Sequence, residues 1–136
     1  MILTDAGPLV AIIDKGEPDH PRCVAALETI ALPLVTTWPV FTEAMYLLGD
    51  AGGWAAQERL WRLRDRGDLE LVDLPSSLVS RSSALMHKYH NVPMDLADAT
   101  LVALAEARGW THVFTLDSHF HAYRLSSRRR FTLLPA

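Results

Sequence analysis

Four carboxylates, Asp5, Glu43, Asp98 and Asp117, stand where chemistry could be done, and a fifth, Asp95, lies beside one of them. Asp95 and Asp98 are three residues apart at the start of the segment running from Pro93 to Ala105, so one turn of helix would set both on one face. Pro93 disfavours helix in the residue before it, and Leu101, Leu104 and Ala105 continue an apolar stripe suited to burial. Each acid also has an ordinary account. Asp95 is a good N-cap, and Asp98 near a helix N-terminus is favoured by the macrodipole. Asp5 could cap a helix beginning at Leu9, and Asp117 could cap a turn at Ser118-His119-Phe120. Glu43 could be a solvated helix residue, although Phe41, Ala44, Leu47 and Leu48 surround it. Brought within ~5 Å of one another, such acids would repel, and some would have to protonate without a counter-charge. A divalent cation removes that penalty, and a donor set made only of oxygen points to Mg²⁺ or Mn²⁺ rather than zinc. Such ions orient a phosphodiester and activate a water for its hydrolysis.

Whether the acids meet depends on the elements that carry them. Met1 to Thr4 reads as a short strand, broken at Asp5-Ala6-Gly7-Pro8, and a helix follows from Leu9 to Ile13. After a turn-rich loop, Pro21 to Ile30 reads as helix and Leu34-Val35-Thr36 as a second strand. Val40, Phe41, Ala44, Leu47 and Leu48 recur at helical spacing from Pro39 onward, until Gly49, Gly52 and Gly53 end that helix. Trp54 to Arg66 is another amphipathic helix, Leu69 to Leu74 a strand, and Ser77 to Tyr89 a helix. The helix that carries Asp98 ends near Gly109, and strands follow at His112–Leu116 and Phe131–Leu134. Strands alternating with helices predict an α/β sandwich around a mostly parallel sheet with right-handed crossovers. Such sheets bind ligands at the carboxyl ends of their strands, and all four acids can reach that edge.

With 136 residues and 49% of them apolar, the chain suits one domain, residues 1–136, with one substantial core. No apolar run is long enough to cross a bilayer, and no basic region followed by an apolar stretch and cleavage site marks an export leader. Cys23 is alone, which excludes an internal disulfide framework and fits a reducing cytoplasm. The net charge is −3, so any contact with nucleic acid must come from a local basic patch. Arg124, Arg128, Arg129 and Arg130, interleaved with Phe120, Tyr123 and Phe131, could grip phosphates and stack a base. A solvated loop before the last strand is the plainer account of that run and the one favoured. His119 and His121 lack partners at zinc-site spacing, while His87 and His90 suit the carbonyls of a helix C-terminus. Trp54 and Trp61, one heptad apart, suit core packing first and a protein interface second.

Four segments together resemble a PIN-domain ribonuclease of the VapC-like toxin type. They are Ile2-Leu3-Thr4-Asp5-Ala6-Gly7-Pro8-Leu9-Val10-Ala11, Thr36-Thr37-Trp38-Pro39-Val40-Phe41-Thr42-Glu43-Ala44, Met94-Asp95-Leu96-Ala97-Asp98-Ala99-Thr100-Leu101-Val102-Ala103 and Val113-Phe114-Thr115-Leu116-Asp117-Ser118-His119-Phe120. The resemblance implies a three-layer α/β/α domain with a parallel sheet of about five strands and an acidic pocket at the strand ends. It places the family's four acidic positions on Asp5, Glu43, Asp98 and Asp117, with Asp95 a further acid of part of the family and Thr115 a small hydroxyl near the pocket. The implied activity is Mg²⁺- or Mn²⁺-dependent hydrolysis of single-stranded RNA. Asp5 and Asp98 would be the primary ligands, with Glu43 and Asp117 completing the pocket directly or through water. The implied partners are a cognate antitoxin, which pushes a basic side chain into the pocket, and a second copy of the chain. Two other classes compete. A phospho-receiver needs paired acids after the first strand and a lysine after the last, and neither is present. A non-catalytic RNA- or protein-binding module would have no need of the intact acidic set.

Overall fold

The computed structural model describes residues 1–136. Strands β1 (Ile2–Thr4), β2 (Leu34–Thr37), β3 (Leu69–Val72), β4 (His112–Phe114) and β5 (Thr132–Leu134) form one sheet in the order β3-β2-β1-β4-β5. Every neighbouring pair is parallel. Central β1 sets Ile2 opposite Leu34 on one side and His112 on the other, and Leu3 opposite Val35 and Val113. Leu3, Val35 and Val113 are buried, as central strands covered on both faces require.

Helices α1 (Ala6–Ile13), α2 (His20–Leu27) and α3 (Trp38–Asp65) connect β1 to β2 and β2 to β3, and α4 (Ser76–Lys88) and α5 (Leu96–Arg108) connect β3 to β4. The first set of crossovers steps across the sheet in one direction and the last steps back, so right-handed connections put the two sets on opposite faces. This is the expected α/β/α sandwich. Helix α5 is buried almost all round, from Ala97 to Ala105, which explains why its sequence shows a nearly continuous apolar run.

Several boundaries differ from the sequence-based expectation. Helix α1 begins at Ala6 rather than Leu9, because Asp5 caps it and Pro8 falls in the first turn, where a missing N–H costs nothing. Helix α2 ends at Leu27, and β3 and β4 are each two residues shorter than expected. The helices expected on either side of Gly53 are two arms of α3, meeting where Gly53 leaves helical geometry at φ +63° and ψ −156°. The arms fold back on each other. Gln57 Nε2 donates to Met45 O at 3.2 Å although twelve residues separate them, a spacing that would span about 18 Å in a straight helix. Gly49 faces this contact: an added Cβ would lie 2.6 Å from Gln57 Nε2, so the Gln57 amide would have to shift.

The two tryptophans divide. Trp61 packs edge-on against Phe41 at 5.0 Å, as core packing predicts, but Trp54 is 63% exposed beside the bend. His90 Nδ1 lies 2.7 Å from the carbonyl of His87 at the end of α4, the structural place expected for that pair.

Only glycine readily adopts the backbone of Gly53. Gly53→Ala is therefore expected to lower unfolding free energy by about 1–3 kcal/mol, measured by chemical denaturation. No change would mean that the bend tolerates a different local path.

Candidate active site

The strand order reverses between β1 and β4, and this switch point is where parallel sheets open a ligand crevice. Asp5 leaves β1 there, its backbone N–H held by Phe114 O at 2.9 Å. Its Oδ1 accepts from Ala6 N at 2.8 Å and so caps α1. Asp117 follows β4, and its Oδ1 accepts from His119 N at 2.9 Å, capping the short 3-10 turn Ser118–His121. Asp98 stands in the first turn of α5. Asp95 Oδ1 accepts from Asp98 N at 2.8 Å, and Asp98 Oδ2 accepts from Asp95 N at 3.4 Å, a reciprocal capping box.

These elements converge. One carboxylate oxygen each from Asp5, Asp98 and Asp117 lies within 4.8 Å of the other two. Glu43 and Asp95 line the same cleft of about 280 Å³, with Gly7, Leu47 and Leu116. All four acids singled out in the sequence thus reach one cleft, but the inner group differs from the expectation. Asp117 stands in it with Asp5 and Asp98, while Glu43 stands at the wall. Asp95, an exposed residue, spends one oxygen on the cap.

Two hydroxyls are aimed at the inner acids. Thr115 Oγ1 accepts from Asp117 N at 3.0 Å, which turns its own proton toward Asp5 Oδ2, also at 3.0 Å. Thr115 is buried, so its hydroxyl faces Asp5 rather than a substrate. Tyr123, read in the sequence only as an aromatic among arginines, places its hydroxyl 3.1 Å from Asp98 Oδ2. The one available signal was that a buried tyrosine must find a polar partner, and its burial depends on tertiary packing.

The arginines lie elsewhere. Arg124 folds back on its own loop, donating through Nη1 to His121 O and Tyr123 O at 2.6 and 3.0 Å. Arg128, Arg129 and Arg130 are exposed on the tight loop that pairs Arg124 with Arg130, and none of the four lines the cleft.

The electrostatics are one-sided. Burial, then the charges of Asp5 and Asp95, push the Asp98 carboxyl up to about 8. Burial also raises Asp5, against the opposing pull of the Ala6 N–H and the Thr115 hydroxyl. Glu43 is raised by burial and then by Asp95, Asp5 and Asp117. No arginine or lysine forms an ion pair with these acids; the nearest basic group is His119, whose Nδ1 lies 2.9 Å from Asp117 Oδ1. An all-oxygen cluster, largely buried and paired with no arginine or lysine, fits a hard divalent cation such as Mg²⁺ or Mn²⁺.

Residues 2–125 match the family model described as the PIN domain. This chain belongs to the PIN-domain family. Across 135 residues, 98% of this chain and 100% of the relative, it is 30% identical to Ribonuclease VapC26 of Mycobacterium tuberculosis. Among solved structures, the PIN fold here is similar to that of Mycobacterium tuberculosis VapC20, described as a Sarcin-Ricin loop cleaving toxin. That match has a TM-score of 0.84 at 17% identity and covers 90% of this chain and 94% of the other. A toxin–antitoxin complex from Klebsiella pneumoniae matches with a TM-score of 0.67 at 18% identity, over 87% and 88% of the two chains. The acid cleft of this PIN domain lies wholly inside the family match.

A carboxyl raised from 3.8 to about 8 makes the folded, metal-free protein hold a proton that the unfolded chain has released across that interval. Stability from this group is full below the unfolded value and is lost as pH rises through the folded one. In EDTA the melting temperature of Asp98→Asn, relative to wild type, should therefore climb between about pH 4 and pH 8, as scanning calorimetry would show. A constant difference between the two proteins would contradict the origin assigned to the shift.

Proposed function

We propose that the chain, residues 1–136, is a metal-dependent endoribonuclease that cuts single-stranded regions of RNA and acts as the toxin of a toxin–antitoxin pair. The observation that carries this reading is the convergence of Asp5, Asp98 and Asp117 at the sheet's switch point with no arginine or lysine paired to them. A bound Mg²⁺ or Mn²⁺ supplies the charge that orients a phosphodiester and polarises a water. Asp5, Asp98 and Asp117 would hold the ion, and Glu43 and Asp95, which line the same cleft, would complete its surroundings directly or through water. Thr115 keeps the Asp5 carboxylate turned inward. Arg124, Arg128, Arg129 and Arg130 lie off the cleft, so any contact they make is with RNA phosphates beyond the cut or with the partner. The relative's printed name, Ribonuclease VapC26, supports the RNA substrate, and the Klebsiella pneumoniae complex supports a cognate antitoxin. A basic antitoxin side chain entering this cleft would also offset the charge of its acids, which gives inhibition a direct electrostatic route. The place of action is the cytoplasm, in keeping with the buried free thiol of Cys23 and the absence of any helix long and apolar enough to cross a membrane.

A second copy of the chain is the other proposed partner. Tyr46 and Trp54 are 73% and 63% exposed on the two arms of α3, and large aromatics of that kind anchor interfaces.

Mixed single-stranded RNA is expected to be cut with Mg²⁺ or Mn²⁺ and left whole in EDTA. Asp5→Asn and Asp98→Asn should each lower the rate at least about 100-fold, the upper range for losing even an outer partner of a metal site, while the circular dichroism spectrum stays that of wild type. RNA retarded on a gel but never cut would instead make the protein a binding module. For the dimer, Trp54→Arg should shift the mass measured by light scattering from two chains toward one. A wild-type protein that is monomeric at every concentration would remove this partner.

A further inference from the structure

Tyr123 has one hydroxyl proton and two acceptors. Its Oη lies 2.6 Å from Pro93 O and 3.1 Å from Asp98 Oδ2. The ring is fully buried and packs edge-on against Tyr89 at 5.2 Å and Phe120 at 5.1 Å, with Phe120 edge-on against Phe131 at 5.8 Å. Tyr89 Oη in turn accepts from Arg124 N at 3.0 Å. The ring is thus held by packing from outside the cleft, and the hydroxyl's position does not depend on the acid it meets. The single proton is shared between the two acceptors, with Pro93 O at the shorter distance, so a phenol that one partner would satisfy also donates to Asp98 Oδ2.

The two oxygens of Asp98 are used unequally. Oδ2 faces the Tyr123 hydroxyl and the Asp95 N–H, whereas Oδ1 accepts no hydrogen bond. No buried side-chain oxygen or nitrogen in the molecule lacks a partner, so Oδ1 is reached by solvent. We propose that Tyr123 is a positioning residue of this site: its hydroxyl holds Asp98 by Oδ2 and thereby keeps Oδ1 turned outward as the ligand oxygen for a divalent cation. This rests on the metal-site reading of the cleft and does not depend on which polymer is cut. Outer partners of metal ligands fix ligand orientation in this way, and losing one costs about 10–100-fold in metal affinity.

The test uses the full chain and Mn²⁺ alone, with free Mn²⁺ read by electron paramagnetic resonance. Tyr123→Phe keeps the ring and removes the hydroxyl, and should bind Mn²⁺ about 10–100-fold more weakly than wild type. Tyr89→Phe removes a buried hydroxyl from the same cluster without touching Asp98, and should keep wild-type affinity even where it melts earlier. Equal Mn²⁺ affinity in Tyr123→Phe and wild type overturns the proposal and leaves Tyr123 a core residue. A second measurement needs no variant. In wild-type protein with ¹³C-labelled tyrosine, the Cζ resonance of Tyr123 should move on Mg²⁺ addition while those of Tyr46 and Tyr89 stay; an unmoved Tyr123 signal also overturns it. Failure of the wild-type protein to cut RNA would strike the substrate alone, because neither measurement uses RNA. Failure to bind Mn²⁺ would overturn this proposal and the metal dependence together.

Discussion

The mutual repulsion of three carboxylates gathered within 4.8 Å is the constraint on which the site depends. Asp5 and Asp98 are 8% and 6% exposed, so neither can rely on bulk water to stabilise its charge. The surrounding backbone and hydroxyls partly substitute for it. Ala6 N–H, Asp95 N–H and His119 N–H point at the three acids, and Thr115 and Tyr123 add hydroxyl groups. These are dipoles without formal charge. They lower the cost of each carboxylate taken singly without offsetting its burial or the repulsion between them, and Asp98 stays pushed up to about 8, by burial first and then by the charges of Asp5 and Asp95.

The rest of the molecule keeps the three from moving apart. Asp5 and Asp117 leave adjacent parallel strands, and the hydrogen bond from Asp5 N to Phe114 O fixes their spacing. Asp98 is held on a separate element whose small buried side chains, Ala97, Ala99, Ala103 and Ala105, suit close packing against its neighbours. The Thr37 and Thr100 hydroxyls meet at 2.7 Å between the end of β2 and α5, so even the polar atoms at this junction are satisfied internally. Arg81 clamps Glu106 with two hydrogen bonds, at 2.9 and 3.1 Å, tying α4 to the far end of α5. Relaxing the charge cluster by sliding α5 would break these contacts together, so the cluster persists and a bound cation becomes the less costly remedy.

Much of this was legible before any coordinates. The runs at Met1–Thr4 and His112–Leu116, each followed by aspartate, predicted parallel strands delivering acids to one edge, and the four resembling segments carried the family. Two kinds of information were not in the pattern. The rank of the acids depends on distances between elements: Glu43 and Asp117 looked equivalent along the chain, yet Asp117 brings an oxygen within 4.8 Å of Asp5 and Asp98 while Glu43 lines the cleft outside that group. The role of Tyr123 depends on burial decided in part by contact with Tyr89, far earlier in the chain at the end of α4. For the arginine run the favoured reading, a solvated loop, agrees with the geometry: Arg124 is consumed by its own loop carbonyls, its neighbours are exposed, and none of them lines the cleft.

Helix cap and functional group are not alternatives for these acids. A carboxylate has two oxygens and about four acceptor sites, and a cap occupies one of them. Asp5 caps α1 and still presents Oδ2 beside Thr115; Asp117 caps the 3-10 turn through Oδ1 alone; Asp98 completes a capping box through Oδ2 and leaves Oδ1 open. Capping is what makes each acid precise, because the cap fixes the side chain's torsions at the point where a strand gives way to a helix. In a parallel sheet those points all fall on one edge. The capping preference of aspartate and the topology of the sheet therefore build a rigid anionic cleft between them, and the chemistry available there follows from the oxygens the caps leave over.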